Sequence, residues 1–206
     1  MKAIIFSTVM VQAILDGKKT QTRRVIKPQP QFKPYKNDTF GIPWWEWKGH
    51  KLLENLKGEL NKNGGITHYT PYKPGDILWV RESFCRVLDE RDMKIYVFYK
   101  VDKEKYNPAY VKGIKWNPSI HMPRTAARLF LRVTGVRAER LQEISGADAK
   151  AEGIQRSDRE MLDGVLYEEK FVELWNSFNA KRGHGWETNP WVWVYDFEVM
   201  SEEERI

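Results

Sequence analysis

Short alternations of hydrophobic and polar residues run along this chain, and they predict strands and helices of modest length. The apolar run of residues 1–6 predicts a first strand. Between Ser7 and Asp16 the apolar positions recur every three or four residues, which predicts a short helix. Ser7 can cap its N-terminus, and Gly17 stands where a helix ends, because glycine adopts the left-handed conformation at little cost.

The later part of the chain contains four stretches with a period of two. They predict strands at Ile77–Ser83, Ile95–Tyr99, Ala126–Val136 and Trp191–Val199. The first of these begins with apolar residues on both faces, which is typical of a central strand.

Two further helices are predicted in the second half of the chain. One spans Ser145–Glu152, where Asp148 completes an approximate capping box with Ser145, and Gly153 ends it. The other lies around residues 171–178, with a stripe expected in the core: Phe171, Leu174, Trp175 and Phe178. The order of the elements predicts an α+β fold with a mostly antiparallel, barrelled sheet.

A change of composition marks residues 27–74, which are rich in Pro, Lys, Asn, Gly and aromatic residues. We interpret them as an insertion in a single domain that covers residues 1–206. Asn63-Gly64 is a turn signal, and the cluster of Trp44, Trp45 and Trp47 argues against full disorder. A stretch of this length forms either a lid over a site or a packed satellite hairpin.

Composition limits the class of protein. With 41% hydrophobic and 30% charged residues, the 206 residues suit a globular fold, and no apolar run approaches the roughly 20 residues of a membrane span. The first six residues are too short for a signal peptide. The single cysteine, Cys85, excludes an internal disulfide, suits the cytoplasm and is expected to be buried. The net charge of +6 points mildly towards a polyanion.

Several kinds of chemistry have no motif here. The four histidines are far apart and flank no cysteine or carboxylate at ligand spacing, so we expect no metal. No glycine-rich phosphate loop precedes a Lys-Ser/Thr pair, and no serine occupies a nucleophile elbow. We therefore expect no cofactor.

The densest run of positive charge in the chain lies at residues 18–24, where four cations and two threonines follow Gly17. This run favours a partner anion or a solvated basic turn, and the residues alone leave both open. Lys19 and Thr22 would need a turn to act together, because they face opposite sides of a straight strand. Glu152, in the last turn of its helix, faces the negative end of the helix dipole, and Lys19 could compensate it.

Five motifs together resemble the ASCH-domain family, whose fold is a PUA-like β-barrel. The residues that carry the resemblance are Ile14–Arg24, Pro74–Glu82, Pro118–Arg124, Ala151–Ile154 and Asn189–Tyr195. The last three are similar to the longer members encoded by bacteriophages and prophages. The resemblance covers nearly the whole chain and implies a cleft for RNA or a modified nucleoside.

Small members of this family hydrolyse the amide of N4-acetylcytidine with a Lys-Thr-Glu set. By position in the motifs, the resemblance assigns these catalytic roles to Lys19, Thr22 and Glu152. Thr22 would attack or position water, Lys19 would act as base, and Glu152 would orient groups or shuttle protons. This chain is about twice as long as the small enzymes, which lack a counterpart of residues 27–74.

Further residues are assigned to substrate or RNA binding. The arginines expected to contact phosphate are Arg23, Arg24, Arg81 and Arg124, and the neighbouring candidates on a predicted strand are Trp79 and Glu82. The prediction is a monomeric hydrolase of acylated nucleobases. The alternatives are an RNA-binding module without chemistry and a ribonuclease.

Overall fold

The described part of the chain forms helices and strands in similar amounts. The computed structural model describes residues 1–33, 44–48, 50–54, 60–61, 69–107, 113–162 and 165–205. The strands are β1 (Lys2–Ile5), β2 (Gln21–Val25), β3 (Gln31–Lys33), β4 (Trp44–Trp47), β5 (His50–Glu54), β6 (Leu60–Asn61), β7 (Ile77–Arg81), β8 (Phe84–Asp89), β9 (Lys94–Tyr99), β10 (Phe130–Arg140) and β11 (Trp191–Val199). The α-helices are α1 (Thr8–Leu15), α2 (Gly146–Ala151), α3 (Asp158–Leu162) and α4 (Tyr167–Asn179). Short 3₁₀ helices occupy Lys100–Lys105, Ser119–His121, Arg124–Ala126, Leu141–Glu143, Ala180–Arg182, Trp186–Thr188 and Glu203–Arg205.

The chain contributes separate segments to two compact units. The first unit consists of Met1–Lys18, Gly75–Arg132 and Glu198–Ile206, and the second of Lys19–Pro74 and Val133–Phe197. In both units most strands pair antiparallel, so the fold is α+β. The sheets of the described residues are open, with no closed barrel among them.

In the first unit β7 lies between β1 and the beginning of β10. It pairs with β1 in parallel, with Ala3 opposite Trp79, and with β10 antiparallel, with Leu131 opposite Leu78. Leu78 and Val80 are fully buried. The prediction of a central strand is confirmed.

Helix α1 agrees with its sequence signals. The Ser7 hydroxyl accepts a hydrogen bond from the Met10 N–H at 3.4 Å, as an N-cap does. Gly17 has a φ of +69°, the left-handed conformation that ends the helix, and the Lys18 N–H donates to the Ala13 carbonyl. Val11 and Ile14 are buried.

A hairpin of β8 and β9 completes the first unit. β9 agrees with the predicted strand, whereas β8 was not predicted. Cys85 lies in β8 and is only half-buried, so the expectation of a buried thiol was wrong. Cys85 pairs with Phe98 on one face of a two-stranded ribbon, and two strands alone cover little of that face.

The strand predicted at 126–136 begins and ends four residues later, at Phe130–Arg140. Residues 119–121 and 124–126 form 3₁₀ turns, each preceded by a proline, Pro118 or Pro123. Proline removes a backbone donor and fixes φ, so these residues suit turns better than a strand.

In the second unit β11 pairs antiparallel with β2, and its bounds agree with the predicted strand. Helix α4 buries Phe171 and Trp175 in a core that also contains Leu141, Ile144, Ala149, Ile154, Val192 and Val194. Leu174 packs against this core, whereas Phe178 is 43% exposed, so the predicted stripe is one residue too long.

The insertion at 27–74 contains β3, β4, β5 and β6, which are neighbours in that order and pair antiparallel. The turn signal Asn63-Gly64 lies outside the described residues, as do the side-chain contacts of Trp44, Trp45 and Trp47. Near its end, Thr70 is buried in the second unit. None of the helices in the described ranges has the length and apolar character that a bilayer crossing requires.

Candidate functional site

Lys19 and Glu152 meet inside the second unit although they are 133 positions apart in the sequence. The Lys19 ammonium donates to Glu152 Oε2 at 2.6 Å, to the Glu152 carbonyl at 2.8 Å and to the Gln21 carbonyl at 2.8 Å. The side chains of Lys19 and Glu152 are 0% and 5% exposed. Each of the three ammonium protons therefore has an acceptor.

Local backbone geometry brings this pair together. Lys19 and Glu152 form an isolated antiparallel bridge, and the neighbouring Thr20 N–H donates to the Ala151 carbonyl at 2.8 Å. Glu152 is the C-cap of α2, which begins with the predicted capping box of Ser145 and Asp148. By binding the Glu152 carbonyl, Lys19 also satisfies an acceptor that the helix end leaves open. Lys19 is therefore the cation that was expected to compensate the charge of Glu152 at this helix end.

Burial is the largest influence on Lys19 and lowers the pKa of its ammonium group. The charge and hydrogen bond of Glu152 oppose this shift, and the charges of Arg24 and Arg23 add to it. The direction of the shift makes loss of a proton easier than for a lysine in water.

Arg23 lies beside the pair and has no exposed side-chain surface. Its Nε and Nη2 donate to Glu139 Oε1 at 3.1 and 2.6 Å, and its Nη1 donates to Glu152 Oε1 at 3.4 Å. Nη1 also donates to Gln21 Oε1 at 2.6 Å. Contact of Arg23 with a phosphate, as the sequence predicts, would require these buried bonds to break.

A second arginine, Arg137, extends this group of charges. It donates to Glu139 Oε2 at 2.8 Å, to Asp148 Oδ1 at 2.9 Å and to Asp196 Oδ2 at 3.3 Å. Arg137, Glu139 and Asp196 were not predicted from the sequence. The available signal was the spacing of Arg137 and Glu139 at i, i+2 in β10, which places both on one face of the strand.

Thr22 and Arg24 alternate with Gln21 and Arg23 in β2, so their side chains belong to the opposite face of the strand. Thr22 is buried and pairs with Tyr195. Arg24 is half-buried, and burial lowers the pKa of its guanidinium. The charges of Glu152, Tyr72 and Tyr195 oppose this shift.

The end of the insertion packs onto this face. Thr70 Oγ1 and Tyr195 Oη share a hydrogen bond of 2.7 Å, and the Tyr72 ring meets the Tyr195 ring edge-on at 5.1 Å. Burial raises the pKa of the Tyr195 hydroxyl.

The other predicted binding residues belong to the first unit. Trp79 is 7% exposed, and the Arg81 guanidinium lies over its ring, 4.7 Å from the ring centre. Arg81 also donates to the Ile120 carbonyl at 3.1 Å. Glu82 is buried and Arg124 is exposed. Trp79 therefore offers little surface for a stacked base, whereas Arg124 can reach an anion in solution.

Arg128 forms an ion pair with Glu82, and it was not predicted from the sequence to belong to a site. Arg128 Nε and Nη2 donate to the two Glu82 carboxylate oxygens at 2.9 and 3.0 Å. Across the described part of the chain, no three His, Cys, Asp or Glu residues are grouped in a way that could hold a metal ion.

No protein-family model, curated protein or solved structure matches this chain.

Asp148 makes part of the stability of the second unit dependent on pH. Partial burial opposes its charge, but the hydrogen bonds from Ser145 and the charge of Arg23 outweigh burial and lower its pKa to about 2, from the ordinary 3.8. Because the folded-state pKa is lower, the contribution is full above 3.8 and is lost as the pH falls towards about 2.

We expect the free energy of unfolding to fall less steeply below 3.8 in Asp148→Asn than in the unaltered protein. Urea unfolding at a series of acid pH values, followed by circular dichroism, measures this slope. Equal slopes in the two proteins would contradict the assignment to Asp148.

Proposed function

We propose that this chain is an ASCH-like protein that binds RNA or a modified nucleoside and hydrolyses an acyl amide on the nucleobase. The observation that supports it is the buried bond of 2.6 Å between Lys19 and Glu152, two residues of the proposed catalytic set that are far apart in sequence. The proposal includes a PUA-like fold, a cytoplasmic location and a monomeric state, each still a prediction.

In the proposed reaction, water attacks the acyl carbon and the bond from that carbon to the exocyclic nitrogen breaks. Lys19, whose pKa is lowered by burial, acts as the base: its neutral amine takes a proton from the attacking water. The leaving nitrogen receives a proton. The short bond to Glu152 Oε2 offers a path for proton exchange between the two side chains. The resemblance alone assigns Thr22 the role of positioning the water, because its side chain belongs to the opposite face of β2 from Arg23, which binds Glu152. The products are the free base amine and a carboxylic acid.

The assay is incubation with N4-acetylcytidine and measurement of released cytidine. Thr22→Val keeps the shape of the side chain and removes the hydroxyl, so we expect a loss of about 100-fold or more in rate. Thr22→Ser keeps the hydroxyl and serves as the matched control, with most activity retained. Equal activity in Thr22→Val would exclude Thr22 from the mechanism, and no release of cytidine by the unaltered protein would exclude this substrate.

A second candidate function is RNA binding without chemistry. The observation that favours it is the occlusion of Lys19 and Glu152, whose polar atoms already bind one another. In this case RNA affinity should fall steeply with salt concentration, and N4-acetylcytidine should remain intact. Binding that salt leaves unchanged would rule out this alternative.

A further inference from the structure

The β8–β9 hairpin of the first unit carries a cavity that the proposed function does not use. Its volume is about 750 Å³, which falls within the range of small-molecule sites. Both strands of the hairpin and residues 105–107, which follow the hairpin in sequence, contribute to its lining.

Aromatic side chains dominate the apolar lining. Tyr96 and Phe98 are two residues apart in β9 and therefore share a face, where Val87 is the cross-strand neighbour of Tyr96. The Tyr106 ring meets the Phe98 ring edge-on, with 5.0 Å between ring centres. Tyr96 is 45% exposed, so its ring is open to a ligand.

The rings are oriented before any ligand arrives. The Tyr96 hydroxyl donates to Asp92 Oδ2 at 2.7 Å. The Tyr106 hydroxyl oxygen accepts from the Tyr99 N–H at 3.0 Å. A ligand that stacks on rings already held in place loses less free energy to ordering of the site.

The charged lining is balanced. Among the described lining residues, the two carboxylates of Asp89 and Glu90 balance the two cations of Arg91 and Lys105, so the formal charges sum to zero. Arg91 binds both carboxylate oxygens of Asp89, at 2.9 and 2.6 Å. Lys105 donates to Asp102 at 2.7 Å. Both cations already have carboxylate partners, and the described part of the lining has no excess positive charge to select an anion.

We propose that this cavity binds an uncharged, planar heteroaromatic molecule of nucleoside size, stacked on the rings of Tyr96 and Phe98. Aromatic platforms accept many bases, because each base presents a π-face. The balanced charge sets this site apart from a phosphate site, where positive charge is in excess. This inference goes beyond the proposed function, because it rests on residues that the proposed hydrolysis does not involve.

The experiment compares the binding of adenosine and adenosine 5′-monophosphate to the full chain by titration calorimetry, at low and at high salt. We expect similar affinities for both, with little dependence on salt. Tyr96→Ala and Phe98→Ala should each weaken adenosine binding by about tenfold or more. Ile95→Ala is the matched control, since Ile95 is exposed and belongs to the opposite face of β9.

Thr22→Val separates this inference from the proposed function, because it should leave adenosine binding unchanged. Undiminished binding to Tyr96→Ala would overturn the proposal. It would also be overturned by an absence of adenosine binding, or by much tighter, salt-sensitive binding of the monophosphate.

Discussion

Replacement of Arg128 by alanine is expected to lower the free energy of unfolding by about 3–5 kcal/mol. Arg128 binds both oxygens of the buried Glu82 carboxylate, and its Nη1 lies 2.5 Å from Asp102 Oδ2. Its guanidinium also covers the Tyr99 ring at 3.8 Å. Without Arg128, two carboxylates of low exposure would face one another with no shared cation, which costs far more than a broken surface pair.

The effect of Arg128→Ala should depend on pH. Burial raises the pKa of Glu82 above its ordinary 4.5, and the hydrogen bonds and charge of Arg128 oppose this shift. Because the folded-state pKa is raised, protonation favours the folded state, and this contribution is lost as the pH rises. Removal of Arg128 raises the pKa further. The destabilisation should therefore be smaller at about pH 5 than at about pH 8.

Urea unfolding followed by circular dichroism measures both effects of Arg128→Ala. Lys2→Ala is the surface control: Lys2 and Asp76 form a partly exposed pair in the same unit, and its loss should cost less than about 1 kcal/mol. A cost for Arg128→Ala no larger than this control would show that the buried contacts contribute little.

Glu152→Ala is expected to lower the free energy of unfolding of the second unit, again by about 3–5 kcal/mol. The variant leaves the Lys19 ammonium buried beside Arg23 without its carboxylate partner. Burial already lowers the pKa of Lys19 below 10.5. In the pH range between the lowered value and 10.5, the unfolded state binds more protons, so stability rises with pH. The loss in Glu152→Ala should accordingly be smaller at about pH 9 than at about pH 6.

Two further variants test the origin of this loss. The double variant Lys19→Met with Glu152→Leu removes both charges and should recover most of the stability. Lys18→Ala, next in sequence, breaks an exposed pair with Asp16 and should cost less than about 1 kcal/mol. If the double variant were as unstable as Glu152→Ala, lost packing rather than an unpaired charge would explain the loss.

Local signals predicted much of the fold. Each end of helix α1, the Ser7 cap and the stop at Gly17, is decided by residues in its own neighbourhood. The same holds for the capping box of Ser145 and Asp148. The bounds of β11 follow from the aromatic residues that occupy every second position from Trp191 to Phe197. Strand β10 was displaced in the prediction, because propensity alone does not show where proline-led 3₁₀ turns end.

The candidate site was predicted only in part, because long-range pairing decides its partners. The position of Glu152 at a helix end indicated that it needed a cation, and the structure supplies Lys19. The arrangement of Arg23, Arg137 and Glu139 depends on the pairing of three strands, which the composition of each strand does not reveal. An arginine in a basic run therefore looked like a surface group although it is buried.

The pairing of β2 with β11 has a consequence for biosynthesis. β11 is synthesised well after β2, because most of the described elements lie between the two strands in sequence. Until β11 is made, the hydrogen-bonding edge that β2 offers to it stays open, and the sheet of the second unit is incomplete. Non-local pairing of this kind slows folding and leaves an unpaired strand edge exposed to other chains in the meantime.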